Sequence, residues 1–276
     1  MIARWKRNPL GWIGLGLLTF FFVLAFGANW LAPYDPAHLS GKPFEPPSPL
    51  HFLGTNDIGQ DILSELIFGA RVSLLIGVLS ALIAIGIGTT VGLLAGFYRG
   101  IVGTTLMRLV DVMLIIPIFP LMVLLAAYLG QSLWNLVAVI GLLGWARPSR
   151  IIRAQALSLV ERDYVTAARA IGARDAHIVL RHILPGALPL ALAQFVMAAS
   201  GAILMEAGLS FLGLGDPTQK SWGSILYYAQ ARNAFLSGAW LWWVLPPGLM
   251  IAASVLGFAL SGFALEDAFN PQLRSK

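Results

Sequence analysis

Tyr164-Val-Thr-Ala-Ala-Arg-Ala-Ile-Gly-Ala173, running on through Arg174-Asp-Ala-His-Ile-Val-Leu-Arg-His-Ile-Leu-Pro185, is the longest polar interruption in the second half of an otherwise apolar chain. Ala167, Ala168 and Ala170 are strong helix formers, and Gly172 sits where a C-terminal cap would end their helix. Asp175 suits the first turn of a second helix and Pro185 is expected to close it. The stretch therefore predicts a short helix, a glycine corner and another short helix. Small alanine side chains admit a partner's backbone closely, while Arg169, Arg174 and Arg181 place charge at the rim, so the segment reads as a docking surface. The competing reading, an amphipathic linker lying on a membrane, is disfavoured because surface helices bind lipid through bulky apolar residues rather than alanine.

What surrounds this stretch belongs in a bilayer. The 276 residues are 58% hydrophobic and 11% charged, against about a quarter charged in a soluble domain. Mean hydropathy is +0.78. With roughly 20 residues needed for each spanning helix, the expectation is an all-α, polytopic integral membrane protein with six transmembrane helices. Cysteine is absent, so neither a disulfide nor a thiolate site enters the argument.

The first span is expected from about Leu10 to Leu31, behind Arg4, Lys6 and Arg7. It is too long for a signal-peptide core. A proline-rich stretch follows to about Gly69, read as an ordered loop or small subdomain, then a second span over Val72 to Ala95. Gly88, Gly92 and Gly96 recur along that span and present a flat face, for which packing within this chain is the favoured reading over self-association. A third span, about Leu106 to Leu129, is expected to kink at Pro117 and Pro120. A short fourth runs from Leu133 to Ala146, extended by snorkelling Arg147 and Arg150. The fifth covers Leu188 to Leu209, ending in Leu209-Ser-Phe-Leu-Gly-Leu-Gly-Asp-Pro217, where two glycines and a proline predict a re-entrant turn rather than helix. Ser221 to Leu226 is placed in the loop beyond. The last span, Leu241 to Phe263, opens on an aromatic belt of Trp240, Trp242 and Trp243 with a bend at Pro246-Pro247. In domains, this gives residues 1–71, a core over 72–265 with a polar loop at about 150–186, and a tail over 266–276.

Under this topology 14 of the 18 basic residues fall on one side, leaving Lys42, Arg71, Lys220 and Arg232 on the other. The positive-inside rule then places both termini and the 150–186 loop in the cytoplasm. The basic excess is a topology signal and not a nucleic-acid footprint. No Gly-x-x-x-x-Gly-Lys-Ser/Thr loop occurs, so any ATP used is hydrolysed by another polypeptide, and no cofactor is expected in this chain. The four histidines are scattered without a His-Glu-x-x-His pair, and Gly208-Leu-Ser-Phe-Leu212 fails the nucleophile-elbow pattern.

The spacing of Ala167-Ala168, Gly172 and Leu184-Pro185 resembles the cytoplasmic loop of ATP-binding cassette importer permeases, which inserts into a groove on the ATPase subunit. Leu53-Gly-Thr-Asn-Asp-Ile-Gly-Gln-Asp61, Gly69-Ala-Arg-Val-Ser73, Leu209 to Gly215, Ser221-Trp-Gly223 and Leu265-Glu-Asp-Ala-Phe-Asn-Pro271 narrow the likeness. Together they resemble the second permease of dipeptide, oligopeptide and nickel importers. The resemblance implies a type I importer permease fold in a bacterial or archaeal plasma membrane. It also implies a related first permease as heterodimer partner, two cytoplasmic ATPases that bind ATP and Mg2+, and an external solute-binding protein. It assigns the ATPase-coupling loop to Tyr164, Ala167, Ala168, Arg169, Gly172, Ala173, Leu184 and Pro185. Thr166 replaces the family's usual glutamate and His182 an aliphatic residue. Asn56 and Gln60 stand where aspartate and arginine are usual, and Ser261-Gly-Phe-Ala264 is less polar than its counterpart. Peptides, nickel chelates and short saccharides all stay open as substrates.

Among single residues, Glu206 lies within the fifth span, where a carboxyl is by default a functional candidate. Two readings stay open: a gate or partner contact, or an interfacial group capping the turn after Leu209. Gly213 and Gly215 are pathway candidates from the same turn. Arg108 and Asp111 read as a local ion pair, and His182 as a packed or rim residue with no second ligand near. Two other classes, a channel subunit and an ion-coupled secondary transporter, lack the polar filter ring and the paired midplane charges each would need.

Overall fold

In the computed structural model, which describes residues 9–269, the chain is all-helical, and no strand forms among the described residues. The helices are α1 (Pro9–Leu31), α2 (Ile62–Phe97), α3 (Ile101–Ile115), α4 (Ile118–Leu129), α5 (Leu133–Leu143), α6 (Ala146–Val160) and α7 (Asp163–Ala170). They continue with α8 (Asp175–Leu214), α9 (Trp222–Ala231), α10 (Trp240–Trp243) and α11 (Leu245–Phe269). Arg4, Lys6, Arg7, Asn270, Pro271, Arg274 and Lys276 lie outside the described residues.

Among the described residues four stretches are long and apolar enough to cross a membrane: α1, α2, α8 and Trp240–Asp267. The pair α3 and α4 makes a fifth only if counted as one broken span, bent by 83°. The expected kink is thus a full break. Ile116, held out of the helical region by the proline after it, is extended at ψ 131°, whereas Pro120 sits in the first turn of α4, where its missing N–H costs no bond. The expected fourth span has only the 11 residues of α5, about 16 Å of helix, and gains length from α6 across the helical backbone of Gly144 and Trp145.

Three further boundaries differ from the sequence reading. Helix α2 starts at Ile62, not Val72, because Asp61 caps it: its carboxylate accepts from the Ser64 N–H at 2.8 Å and hydroxyl at 2.7 Å. Gly69 to Ser73 is therefore helical. Pro185 does not close the second expected short helix, since α8 continues through it to the turn at Gly213. A π-type turn over Val179–Ile183 opens the spiral where the Pro185 ring would meet the Arg181 carbonyl. A second π-type turn, Ser210–Leu214, carries the helix five residues past its expected end and stops at Gly213 with φ +81°.

Helix α2 is the mast of the bundle, packed against α1, α6 and α8. Its glycine face meets α6 within this chain, as favoured. A Cβ on Gly88 would lie 2.9 Å from the Trp145 carbonyl oxygen, on Gly92 2.6 Å from that of Ser149, and on Gly96 2.6 Å from the Ala156 Cβ. Beyond that contact, Trp222, expected in an outer loop, and Trp243, expected in an aromatic belt, are core residues at 0% and 1% exposure. Trp222 donates from its indole to the Leu66 carbonyl at 2.9 Å and meets Phe21 edge-on, while Trp243 meets Phe44 of the 32–61 loop. Ser221 and Ser224 form a capping box that starts α9 where a loop was expected. The prolines Pro246 and Pro247 fall in the first turn of α11, after a break at Val244.

Gly92→Ala is expected to lower the abundance and unfolding temperature of the protein, because backbone blocks the added methyl. Gly86→Ala, with nothing within 4 Å of its Cβ, is expected to leave both unchanged or raise them. Immunoblotting of membranes and thermal unfolding in detergent compare the two.

Candidate functional site

The corner at 163–178 is built from below by its apolar residues. Val165, Ala168, Ile178, Val179 and Ile183 are buried against Phe97 of α2 and Ile152, Ala156 and Leu159 of α6. That anchorage turns the remaining residues outward. Helix α7 ends in a Schellman motif: the Ala173 N–H donates to the Ala168 carbonyl at 3.0 Å, the Gly172 N–H to that of Arg169 at 2.9 Å, and Gly172 has φ +81°. The positive φ is the conformation that the sequence reading required of this glycine. Nothing lies within 4 Å of where its Cβ would be, so the position faces open space.

Tyr164, Ala167, Arg169, Gly172 and Pro185 are exposed, and Ala173 and Leu184 are partly covered. Ala168 is turned into the core, so only one of the two paired alanines is presented. Sequence reasoning passed over Ile171 at 85% and Leu180 at 63% exposure, two large apolar side chains standing on the polar corner. Their signal was present: each breaks the polar run at a position that the helical period assigns to the outer face. His182 does have an imidazole beside it, His177, with ring centroids 5.6 Å apart, contrary to the expectation of an isolated histidine. Among the described residues no group of three metal-ligating side chains forms. Ion pairs brace the same end of the bundle. Arg99 reaches Glu161, and Asp111 takes both Arg108 at 3.5 Å and Arg150 of α6, so the expected local pair also ties α3 to α6.

The second feature is a cleft of about 640 Å3 between α2, the α3–α4 break, α5, α6 and α8. Met113, Met122, Met197 and Met205 line it, with Ser80 and Gln194 as polar points and Arg147 and Glu266 also on its wall. Glu206, Gly213 and Gly215 are not among its lining residues. Glu206 is fully buried within the chain: one carboxyl oxygen accepts from the Ser210 hydroxyl at 2.6 Å, the other from Ser73 at 3.4 Å. Ser73 in turn accepts from the Trp222 N–H at 3.1 Å. Glu206 thus pins α2, the wide end of α8 and α9 together. Gly213 packs on Tyr227 and its carbonyl accepts from Gln131, and Gly215 is extended beside Ser210. Asp216 caps α5 from 83 residues away, accepting from the Leu133 N–H at 3.0 Å. Partial burial works to raise its pKa. Hydrogen bonds from Thr218 and the backbone N–H groups of Leu133, Thr218 and Gln219 outweigh that and hold it below the usual 3.8. The cap is complete at neutral pH and is lost only as pH falls through that lowered value.

The opposite end is closed by the 32–61 loop. Asn56 donates to Gln60 at 2.9 Å and to Glu65 at 2.9 Å, and Lys220 reaches both Glu65 and Gln60, with 2.6 Å to the latter. The two amides that replace an expected aspartate and arginine keep each other as partners, and the charge comes instead from Lys220.

Against known proteins, residues 88–275 match the family described as binding-protein-dependent transport system inner membrane component. Residues 1–47 match the N-terminal TM domain of oligopeptide transport permease C. The di/tripeptide transport system permease protein DppC of Pseudomonas aeruginosa is 40% identical over 95% of this chain and 88% of its own length. The glutathione transport system permease protein GsiD of Pectobacterium atrosepticum is 35% identical over 95% and 87%. The dipeptide transport system permease protein DppC of Haemophilus influenzae is 35% identical over 98% and 92%.

Glu206→Gln, which keeps the shape, one acceptor oxygen, and an NH2 donor that a rotated serine hydroxyl can accept from, is expected to preserve abundance and thermal stability. Glu206→Ala leaves the buried Ser73 and Ser210 hydroxyls short of a partner and is expected to cost about 1–3 kcal/mol, read as a lower unfolding temperature in detergent.

Proposed function

The chain belongs to the inner-membrane components of binding-protein-dependent transport systems, and from that membership we propose that it is the second permease of a heterodimeric peptide importer. It is a multi-pass membrane transporter subunit and not an enzyme, and it works with ATPase and solute-binding partners. The proposal adds three things: the paired partner is a related first permease, the solute is a peptide, and the corner at 163–178 is where a cytoplasmic ATPase docks. ATP and Mg2+ are then bound by that ATPase. The observation carrying this reading is the Schellman corner, rigid beneath and open above, which presents Tyr164, Ala167, Arg169, Ile171 and Leu180 to a partner.

The methionine-lined cleft supplies this subunit's half of the path. Thioether side chains adapt to different shapes, and a few fixed polar groups suit a solute whose backbone is constant while its side chains vary. That combination, together with the dipeptide and glutathione names of the relatives, favours peptides over nickel chelates or saccharides. The basic residues Arg99, Arg150, Arg169 and Arg181 share the end of the bundle that carries the corner, which supports a cytoplasmic placement for it and for both termini.

In vesicles holding the assembled transporter, Gly172→Val is expected to reduce peptide uptake and coupled ATPase activity severalfold at normal abundance. Gly172→Ala should do so less, since only the positive φ, worth about 1 kcal/mol, opposes the methyl. Normal uptake by Gly172→Val would move the coupling element elsewhere. For orientation, Ser48→Cys is expected to react with a membrane-impermeant maleimide in intact cells and Thr166→Cys only after permeabilisation; the reverse pattern inverts the topology.

A further inference from the structure

Helices α1 and α2 part along a groove of about 510 Å3 whose floor and walls are Phe22, Phe26, Leu74, Leu75, Val78 and Leu79, with Arg71 at one end. Arg71 is half-buried on a spanning helix, and no carboxylate lies within 4 Å of it among the described residues. Its Nε donates to the Ala25 carbonyl, one terminal nitrogen to Asn29 Oδ1 at 2.9 Å and the other to the Phe26 carbonyl at 3.4 Å. Phe68 lies beneath the guanidinium at 5.1 Å. Of five N–H groups three are used, which fixes the plane of the guanidinium and leaves two donors and a positive charge met by a ring face but by no anion.

Depth identifies what meets that charge. Helix α2 has 36 residues, about 54 Å, which is longer than the roughly 40–45 Å of a bilayer with its headgroups. Arg71 lies 26 residues before Phe97, hence about 39 Å from that end. With the Tyr98–Arg99–Gly100 turn at one membrane surface, Arg71 stands at the phosphate level of the other, on the side of the 32–61 loop. From there the groove runs inward past Leu74 and Leu75 to Val78, Leu79 and Phe22, about 12 Å along the helix, which is close to the depth of one leaflet.

We propose that this groove holds one anionic phospholipid of the leaflet on the side of the 32–61 loop, its phosphate on Arg71 and an acyl chain along α1 and α2. A free anion has no use for the apolar walls, and a zwitterionic lipid brings its own cation beside its phosphate and so matches the arginine's charge less well.

The test purifies the chain with the subunits that accompany it from the membrane and counts bound lipid by native mass spectrometry. Phosphatidylglycerol and phosphatidylcholine of identical acyl chains are titrated in. The expected result is one phosphatidylglycerol per copy, favoured at least threefold. Arg71→Gln, which retains donors for the α1 carbonyls but no charge, should abolish the preference. Leu75→Trp, at the exposed rim, should reduce binding of both lipids. Thermal unfolding confirms that each variant is folded. Equal binding of the two lipids, an undiminished preference in Arg71→Gln, or displacement of the lipid by inorganic phosphate overturns the proposal. So does cross-linking of Leu75→Cys to another subunit without retained lipid, which makes the groove a protein interface.

Discussion

Within a bilayer, apolar side chains gain nothing by leaving lipid for each other, so helices hold together through close packing and a few polar contacts. Here that constraint is met where α2 lies on α6, at Gly88, Gly92 and Gly96. The missing side chains let the α6 backbone approach within ordinary atomic contact over two helical turns. Everything at the end of the bundle that carries the 163–178 corner depends on this seam. It sets where Ile152 and Ala156 stand, they form the floor beneath Val165, Ile178 and Ile183, and that floor turns the corner residues outward. A seam shifted by one turn would carry the corner some 5 Å with it.

The sequence exposed this seam and the corner because both are local. A four-residue glycine repeat and a glycine after an alanine run are legible without knowing what they touch. The lengths of the helices were harder. Helix α2 begins ten residues early because Asp61 caps it, but the cap stands in a proline-rich loop whose own turns hid it. Helix α8 passes Pro185 because a wide turn absorbs the ring, and nothing in the residues Val179 to Ile183 announces an i→i+5 turn. Trp243 was given to an aromatic belt on amphipathic preference, and Trp222 to the loop beyond the fifth span. The structure buries them because Leu66 and Phe44, distant in sequence, offer an acceptor and a ring.

The candidate pathway residues lie apart from the cleft for a related reason. A carboxyl in a span invites a functional reading, yet Glu206 spends its acceptors on Ser73 and Ser210 and reaches Trp222 through Ser73. The cleft instead draws on seven helices, and its methionines carry no motif that a single sequence displays. What was legible was the 163–178 corner, formed by one contiguous stretch; what was not was any surface assembled from several helices.

Contacts that join distant parts of the chain also set a clock. Glu65 is 1% exposed and owes its cation to Lys220, 155 residues later, and Ser73 meets Trp222 across 149. At roughly 5–20 residues per second of synthesis, the ribosome takes on the order of 8–30 s to deliver Lys220 after Glu65. For that interval the head of α2 is a nascent segment with an acidic side chain and no counter-ion of its own. The 32–61 loop can close on its own hydrogen bonds early, but its seat against Lys220 and Trp243 is completed only once the far half of the chain has been translated.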